Sequence, residues 1–214
     1  MEMMTAVRSS TFGITLFAIV TAALIAVTQV STKDRIERNE REAQAKALYE
    51  IVPRDQIDNN LLDDTVSFVA PQLVGSDAPA TAYRARQGSK VIAVILPVVA
   101  PDGYSGNINM IVGIKRDGSV AGVRVLAHKE TPGLGDKIEL KKSDWVLSFN
   151  GKSMAGSNDR DWAVKKDGGQ FDQFTGATIT PRAIVNATAR AITYFRANRI
   201  ALMAPVAEVS QNER

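Results

Sequence analysis

The sequence predicts an α+β protein: a single N-terminal transmembrane helix followed by one domain whose mostly antiparallel sheet is flanked by helices. Three observations carry this. Residues 11–30 (TFGITLFAIVTAALIAVTQV) hold no charged side chain, and a helix rising about 1.5 Å per residue over that length matches the hydrocarbon core of a bilayer. Residues 107–115 and 119–127 are β-rich runs joined at Arg116-Asp117-Gly118, and Asp-Gly between such runs is a strong hairpin signal. Residues 181–199 then place Ile184, Val185, Thr188, Ala191, Ile192 and Phe195 on one helical face.

Composition narrows the chemistry. A chain of 214 residues suits one globular domain plus an accessory segment. The net charge is only +3, and no basic stripe with interleaved aromatics marks a nucleic-acid surface. With no cysteine, the chain cannot form disulfides, ligate an iron–sulfur cluster through thiolates or attach haem covalently. A single histidine, His128, likewise rules out a multi-histidine metal site within this chain. Any redox chemistry here calls for an organic carrier.

Taken in order, residues 1–10 form a short tail with one basic residue, Arg8. The apolar run after it exceeds the apolar region of about 7–15 residues usual in a cleaved signal peptide, so a retained anchor is expected. Lys33, Arg35, Arg38, Arg41 and Lys46 follow the span. A bare Lys/Arg count therefore puts the domain in the cytoplasm, although that rule is weak for long domains. Residues 31–52 read as a charged linker helix with Glu37/Arg41 and Glu42/Lys46 in favourable i,i+4 order. Ile36, Ala43, Ala47, Leu48 and Ile51 give it a thin apolar stripe, so its far end is expected to pack on the domain, and Pro53 closes it.

The domain is expected over residues 53–199 and a tail over 200–214. Strands are expected at 65–70, 83–86 and 90–99, the last almost wholly apolar and hence buried. Pro101-Asp102-Gly103 reads as a turn before the hairpin. Residues 143–149 suit a short helix carrying Trp145 and Phe149, and 161–165 a strand-like piece. The helices are expected on one side of the sheet.

Two stretches carry candidate chemistry. In DQFTGATIT, from Asp172, the hydroxyl residues Thr175 and Thr178 bracket Gly176 and Ala177. Thr180 suits the N-cap of the last helix, with Pro181 at its first position. That places Thr178 at or just outside a helix N-terminus, where backbone N–H groups and the helix dipole favour an anion. The arrangement suits a phosphate, bound or covalently attached; on these residues alone, an ordinary capped helix after a glycine turn fits as well. In HKETPGLG, from His128, two glycines and a proline make a rigid turn whose amides can approach a flat ligand, or simply a tight structural turn. His128 by itself reads as a structural side chain.

Together these stretches resemble one family. GYSGNINMIVGIKRDGSVAGVRVLAHKETPGLGDKI, then DQFTGATITPRAIVNA, behind a single N-terminal span, is similar to the FMN-binding G subunit of the Rnf (Rsx) electron transport complex. It is similar more distantly to the C subunit of the sodium-pumping NADH:quinone oxidoreductase. The resemblance implies one FMN, attached by a phosphoester to the hydroxyl after the Gly-Ala pair, which is Thr178 here. Thr175 and Thr180 fill the other hydroxyl positions, and Asp172 an acidic position before the motif. A separate flavin transferase is implied to make the bond from FAD. Also implied are the other members of the complex as partners and a domain on the periplasmic face of the bacterial inner membrane, against the Lys/Arg count. Glu130, Thr131, Gly133, Leu134 and Gly135, with Gly176, Ala177 and Tyr104, become candidate contacts of the flavin. No residue is assigned as acid, base or nucleophile toward a bulk substrate. The function so implied is electron carriage within an ion-translocating oxidoreductase. A stand-alone membrane-anchored flavin reductase is the alternative, but it lacks a G-x-G-x-x-G fingerprint after a strand. A cofactor-free scaffolding role is a third reading, which the intact TGAT pattern argues against.

Overall fold

A computed structural model describes residues 2–156 and 159–204. The side chains of Arg8, Glu37 and Arg38, and the tail from residue 205 onward, lie outside the described residues. The chain divides into two units, Met1–Gln44 and Ala45–Arg214. In the first, helix α1 (Glu2–Ile51 in full) begins ahead of the apolar run. Its stretch Gly13–Lys33 is long and apolar enough to cross a membrane.

The second unit is built on a five-stranded antiparallel sheet in sequential order, β1 (Thr65–Phe68), β2 (Ala80–Gln87), β3 (Lys90–Gly103), β4 (Gly106–Lys115) and β5 (Val120–Ala127). A single helical turn, α2 (Pro71–Val74), joins β1 to β2. β3 is central and, as its apolar run predicts, buried on both faces: Val94, Leu96 and Val98 point one way, Ala93 and Ile95 the other. The Asp-Gly hairpin forms as expected. Ser119 donates its N–H and its hydroxyl to Asp117 Oδ1 at 2.9 and 2.7 Å. Those two bonds hold the Asp117 carboxyl below its ordinary range.

Helix α3 (Ile179–Leu202) covers the first face with the residues its periodicity picks out: Ile184, Val185, Thr188, Ala191, Ile192 and Phe195 are all buried. Beside it lies an aromatic cluster in which Phe149 stacks on Phe171 at 4.5 Å and Trp145 meets Phe174 edge-on at 5.2 Å. The second face is not left open, contrary to the expectation of helices on one side. Leu48 and Ile51 from the end of α1, with Val52 and Leu61, pack on Tyr83, Ala85, Ala93, Ile95 and Ile111. Arg124 on β5 fixes that end of α1, donating to Glu50 Oε2 and to the Glu50 carbonyl, each at 3.0 Å. A cation at a helix C-terminus is favourable on dipole grounds as well.

Two local expectations are corrected, and a third holds in a more specific form. Pro101 and Asp102 do not make a turn: β3 runs on to Gly103, and the strand absorbs them in a register shift between Ala100 and Gly103. A bulge tolerates a proline that a regular ladder cannot. Residues 161–165 make no strand, only a single bridge of Val164 to Phe171 before a 3-10 turn, Lys165–Asp167. Residues 143–149 do form a helix, but of 3-10 type (Asp144–Phe149), capped by Ser143 Oγ accepting from Trp145 N at 3.1 Å.

Gly113 and Gly122 are register partners on β4 and β5, and together they open a slot for Ile51. A Cβ on Gly113 would stand 2.3 Å from Ile51 Cγ2. Gly113→Ala should therefore destabilise the domain by about 1–3 kcal/mol, the usual cost of overpacking, read as a lowered thermal midpoint. An unchanged midpoint would mean that Ile51 does not fill this slot.

Candidate functional site

The two chemically suggestive stretches meet at one end of the sheet. After β5 the chain turns through residues 128–134, where the amides of Leu134 and Gly135 both donate to the Thr131 carbonyl, at 3.1 and 3.0 Å. A short 3-10 helix, Gly135–Ile138, follows. His128 braces the turn: its Nδ1 accepts from the Glu130 amide at 3.0 Å and its Nε2 lies 2.8 Å from Glu139 Oε1. An accepting Nδ1 puts the ring proton on Nε2, which is the structural role read from the sequence.

Thr131, Gly133 and Leu134 are exposed on the outside of this turn, whereas Gly135 is buried. Leu134, 44% exposed, leans toward the second stretch: a Cβ on Gly176 would lie 4.0 Å from Leu134 Cδ2. Residues 174–177 form a tight turn closed by Ala177 N donating to the Phe174 carbonyl at 3.1 Å. Gly176 takes φ +81 in it, while no non-glycine residue among those described has positive φ. That pattern is a type II turn, whose third position requires glycine or a close substitute. Thr175 and Gly176 are exposed, and Ala177 and Thr178 half-buried.

Trp145 Nε1 donates to the Asp172 carbonyl at 2.7 Å and so holds the entry to this turn; the Asp172 side chain pairs outward with Lys165 Nζ at 2.6 Å. On the far side, Arg182 grips Asp167 through two bonds of 2.6 and 2.9 Å. Its hydrogen bond holds the Asp167 carboxyl below the ordinary range.

The helix does not start where the sequence puts it. Thr180 is not its N-cap; α3 begins at Ile179 with Thr178 as N-cap residue. Thr180 lies inside the first turn, fully buried, and donates its hydroxyl to Glu130 Oε2. The local alternatives are close in energy. A threonine cap contributes about 1 kcal/mol. The first turn here is closed by a long bond, Arg182 N to the Thr178 carbonyl at 3.3 Å, of a kind that contributes about 0.5–1.5 kcal/mol. A tertiary contact decides between them.

The consequence for Thr178 is chemical. Its backbone is already near helical (φ −75, ψ −27) and its side chain caps nothing. Pro181, three residues on, has no N–H to offer it. The hydroxyl is thus half-exposed and uncommitted at a helix N-terminus, beside a glycine turn and an apolar leucine.

Glu130 is only 4% exposed. Its second oxygen, Oε1, accepts from the Ser105 amide at 2.9 Å, at the tip of the β3–β4 hairpin where Gly103 pairs with Gly106. Tyr104, on that tip, is 68% exposed. Glu130, named from the sequence as a polar ligand contact, thus has both oxygens engaged by the protein itself. Sequence reasoning missed Ser105, Trp145 and the Asp167–Arg182 pair, because they act through a backbone amide, an indole on a distant carbonyl and an ion pair 15 residues apart. No spacing rule announces such contacts.

Two family models match this chain. A model described as the FMN-binding domain matches residues 103–193, which span the hairpin tip, the 128–135 turn and the start of α3. A model described as the RnfG N-terminal region matches residues 1–51. Among relatives, the G subunit of the ion-translocating oxidoreductase complex from Pseudomonas aeruginosa is 55% identical, covering 89% of each chain. The protein of that name from Pseudoalteromonas atlantica is 48% identical over 88% of each chain. The one from Vibrio cholerae is 46% identical over 90% of this chain and 91% of its own.

Proposed function

This chain belongs to the G-subunit family of ion-translocating oxidoreductase complexes, and we propose that it relays electrons within such a complex through FMN joined by a phosphoester to Thr178. The observation that carries the proposal is the uncommitted Thr178 hydroxyl at the start of α3, with Leu134 and Gly176 beside it.

Attachment needs an alcohol, and Thr178 Oγ1 supplies it. The oxygen bonds to the phosphorus of the FMN half of FAD, the pyrophosphate P–O bond breaks, AMP leaves, and the hydroxyl proton is released. A separate flavin transferase is the partner for this step. The first turn of α3, where the amides of Ile179 and Thr180 have no intrahelical acceptor, would stabilise the remaining phosphodiester charge. Gly176 and Ala177 leave the approach to Thr178 open, and Thr175 borders it with a second hydroxyl. The exposed face of the Thr131–Gly135 turn, with Leu134 as its apolar contact, is suited to lie along the flavin, and Tyr104 is a further contact from the hairpin tip.

The flavin supplies the electron chemistry when bound; the chain binds it, orients it and tunes its surroundings. A covalent tether keeps the carrier in place in every redox state. The other members of the complex are the electron partners, and the apolar stretch Gly13–Lys33 supports anchoring in the bacterial inner membrane. We assign the domain to the periplasmic side.

Two measurements test this. Thr178→Val keeps the side-chain shape and removes the alcohol; co-expressed with a flavin transferase, it should lose the flavin fluorescence that the wild-type chain keeps through a denaturing gel. Thr178→Ser should keep it. Retention of fluorescence by the valine variant would rule out the assignment. For topology, the absence of native cysteine makes Ser76→Cys a unique label site on an exposed loop. A membrane-impermeant maleimide should react with it in intact spheroplasts, and protection until lysis would put the domain in the cytoplasm.

A further inference from the structure

We infer that Glu130 is a positioning residue that sets where α3 starts, and thereby makes Thr178 the threonine presented for attachment. The inference rests on the reading of Thr178 given above and concerns what puts that hydroxyl in reach.

DQFTGATIT offers three threonines, and local sequence favours a helix capped by Thr180. In that arrangement Pro181 would fill the first position and the amides of Arg182 and Ala183 would face the capping hydroxyl. Thr178 would then sit two residues ahead of the cap, just outside the helix and not at its first turn. The structure holds the other arrangement. Glu130 Oε2 takes the Thr180 hydroxyl and draws it into the interior, so the helix begins at Ile179 and Thr178 becomes the residue at its end.

Glu130 is itself held in a fitted space. Its other oxygen is fixed by the Ser105 amide. A Cβ on Gly135 would come within 2.9 Å of both Glu130 Cβ and Oε2, and one on Gly103 within 3.0 Å of Oε1. Gly135 therefore clears room for this carboxylate, while Gly103, whose Cβ would stand 2.2 Å from the Gly106 carbonyl, is required first by the hairpin itself. A hydrogen bond to a charged acceptor is roughly twice as strong as a neutral one, whereas the bond that the sliding start would give up, Arg182 N to the Thr178 carbonyl, is long at 3.3 Å. With the carboxylate gone, the buried hold on Thr180 is lost, and the observed start keeps only the long Arg182 N bond and the exposed Arg182–Asp167 pair.

The test uses the full chain and a flavin transferase at limiting concentration, with the rate of attachment followed by in-gel fluorescence. Glu130→Ala should slow attachment by about tenfold or more, as expected for a misplaced nucleophile, in kcat more than in KM. Amide exchange in the peptide spanning Thr178 to Arg182 should rise with it. Thr180→Val loses the same bond but has no hydroxyl to cap with, so it should slow attachment less than Glu130→Ala does. The decisive variant is Glu130→Ala with Thr180→Val. It should recover most of the lost rate, because the competing cap is gone. If Glu130 were only a stability element, this double variant would be no better than the single one. Should the alanine variant fail to fold, Glu130→Gln keeps the Ser105 bond, weakens the hold on Thr180 and carries the same comparison with smaller losses. Wild-type attachment rates in the single variant, or no recovery in the double one, would overturn the inference. A wild-type chain without flavin at Thr178 would instead overturn the reading on which it rests.

Discussion

The hydroxyl of Thr180 given to the buried carboxylate of Glu130 is the contact on which the rest of the site depends. It joins segments 50 residues apart, and through the Ser105 amide it brings in the β3–β4 hairpin as a third. A buried carboxylate is tolerable only when its oxygens find donors, and here each does. Because both oxygens are engaged, the three segments cannot shift independently. Leu134 against Gly176 is then a consequence of that junction rather than a separate arrangement.

The sheet gives the junction a rigid base. β3 is apolar on both sides, and both of its faces are covered, one by α3 and the aromatic cluster, the other by the end of α1. Burial on two faces removes the freedom a one-sided sheet would keep. The hairpin tip at Tyr104 and the turn after β5 therefore project from a fixed platform, and α3 approaches them with its buried face already committed. Functional groups held on loops above such a platform are the usual division of labour between scaffold and site.

Much of this is legible in the residues. The Asp117-Gly118 hairpin, the buried β3 run and the inward face of α3 each follow from a period or a turn signal. The pairing of HKETPGLG with TGATIT points to the family. The misreadings share a cause: contacts distant in sequence overrule local propensity. Pro101-Asp102-Gly103 has turn chemistry, yet pairing of Gly103 with Gly106 extends the strand past it. Thr180-Pro181 has cap chemistry, yet Glu130 takes the hydroxyl. That the far end of the charged helix packs on the domain follows from its thin apolar stripe; which face Leu48 and Ile51 cover does not, because their slot comes from glycines on β4 and β5.

Small residues thus set this architecture as much as large ones do. Gly135 clears space for Glu130, Gly113 and Gly122 for Ile51, Gly103 lets the hairpin close on Gly106, and Gly176 supplies the turn that leaves Thr178 at the helix start. The central claim concerns one oxygen among three nearby hydroxyls. It is tested most directly by tandem mass spectrometry of the peptide spanning residues 172–182, from full-length wild-type protein made alongside a flavin transferase. Fragment ions that carry the mass of FMN on Thr178, with Thr175 and Thr180 unmodified, are the predicted result. Modification on either neighbour, or an unmodified peptide, would contradict it.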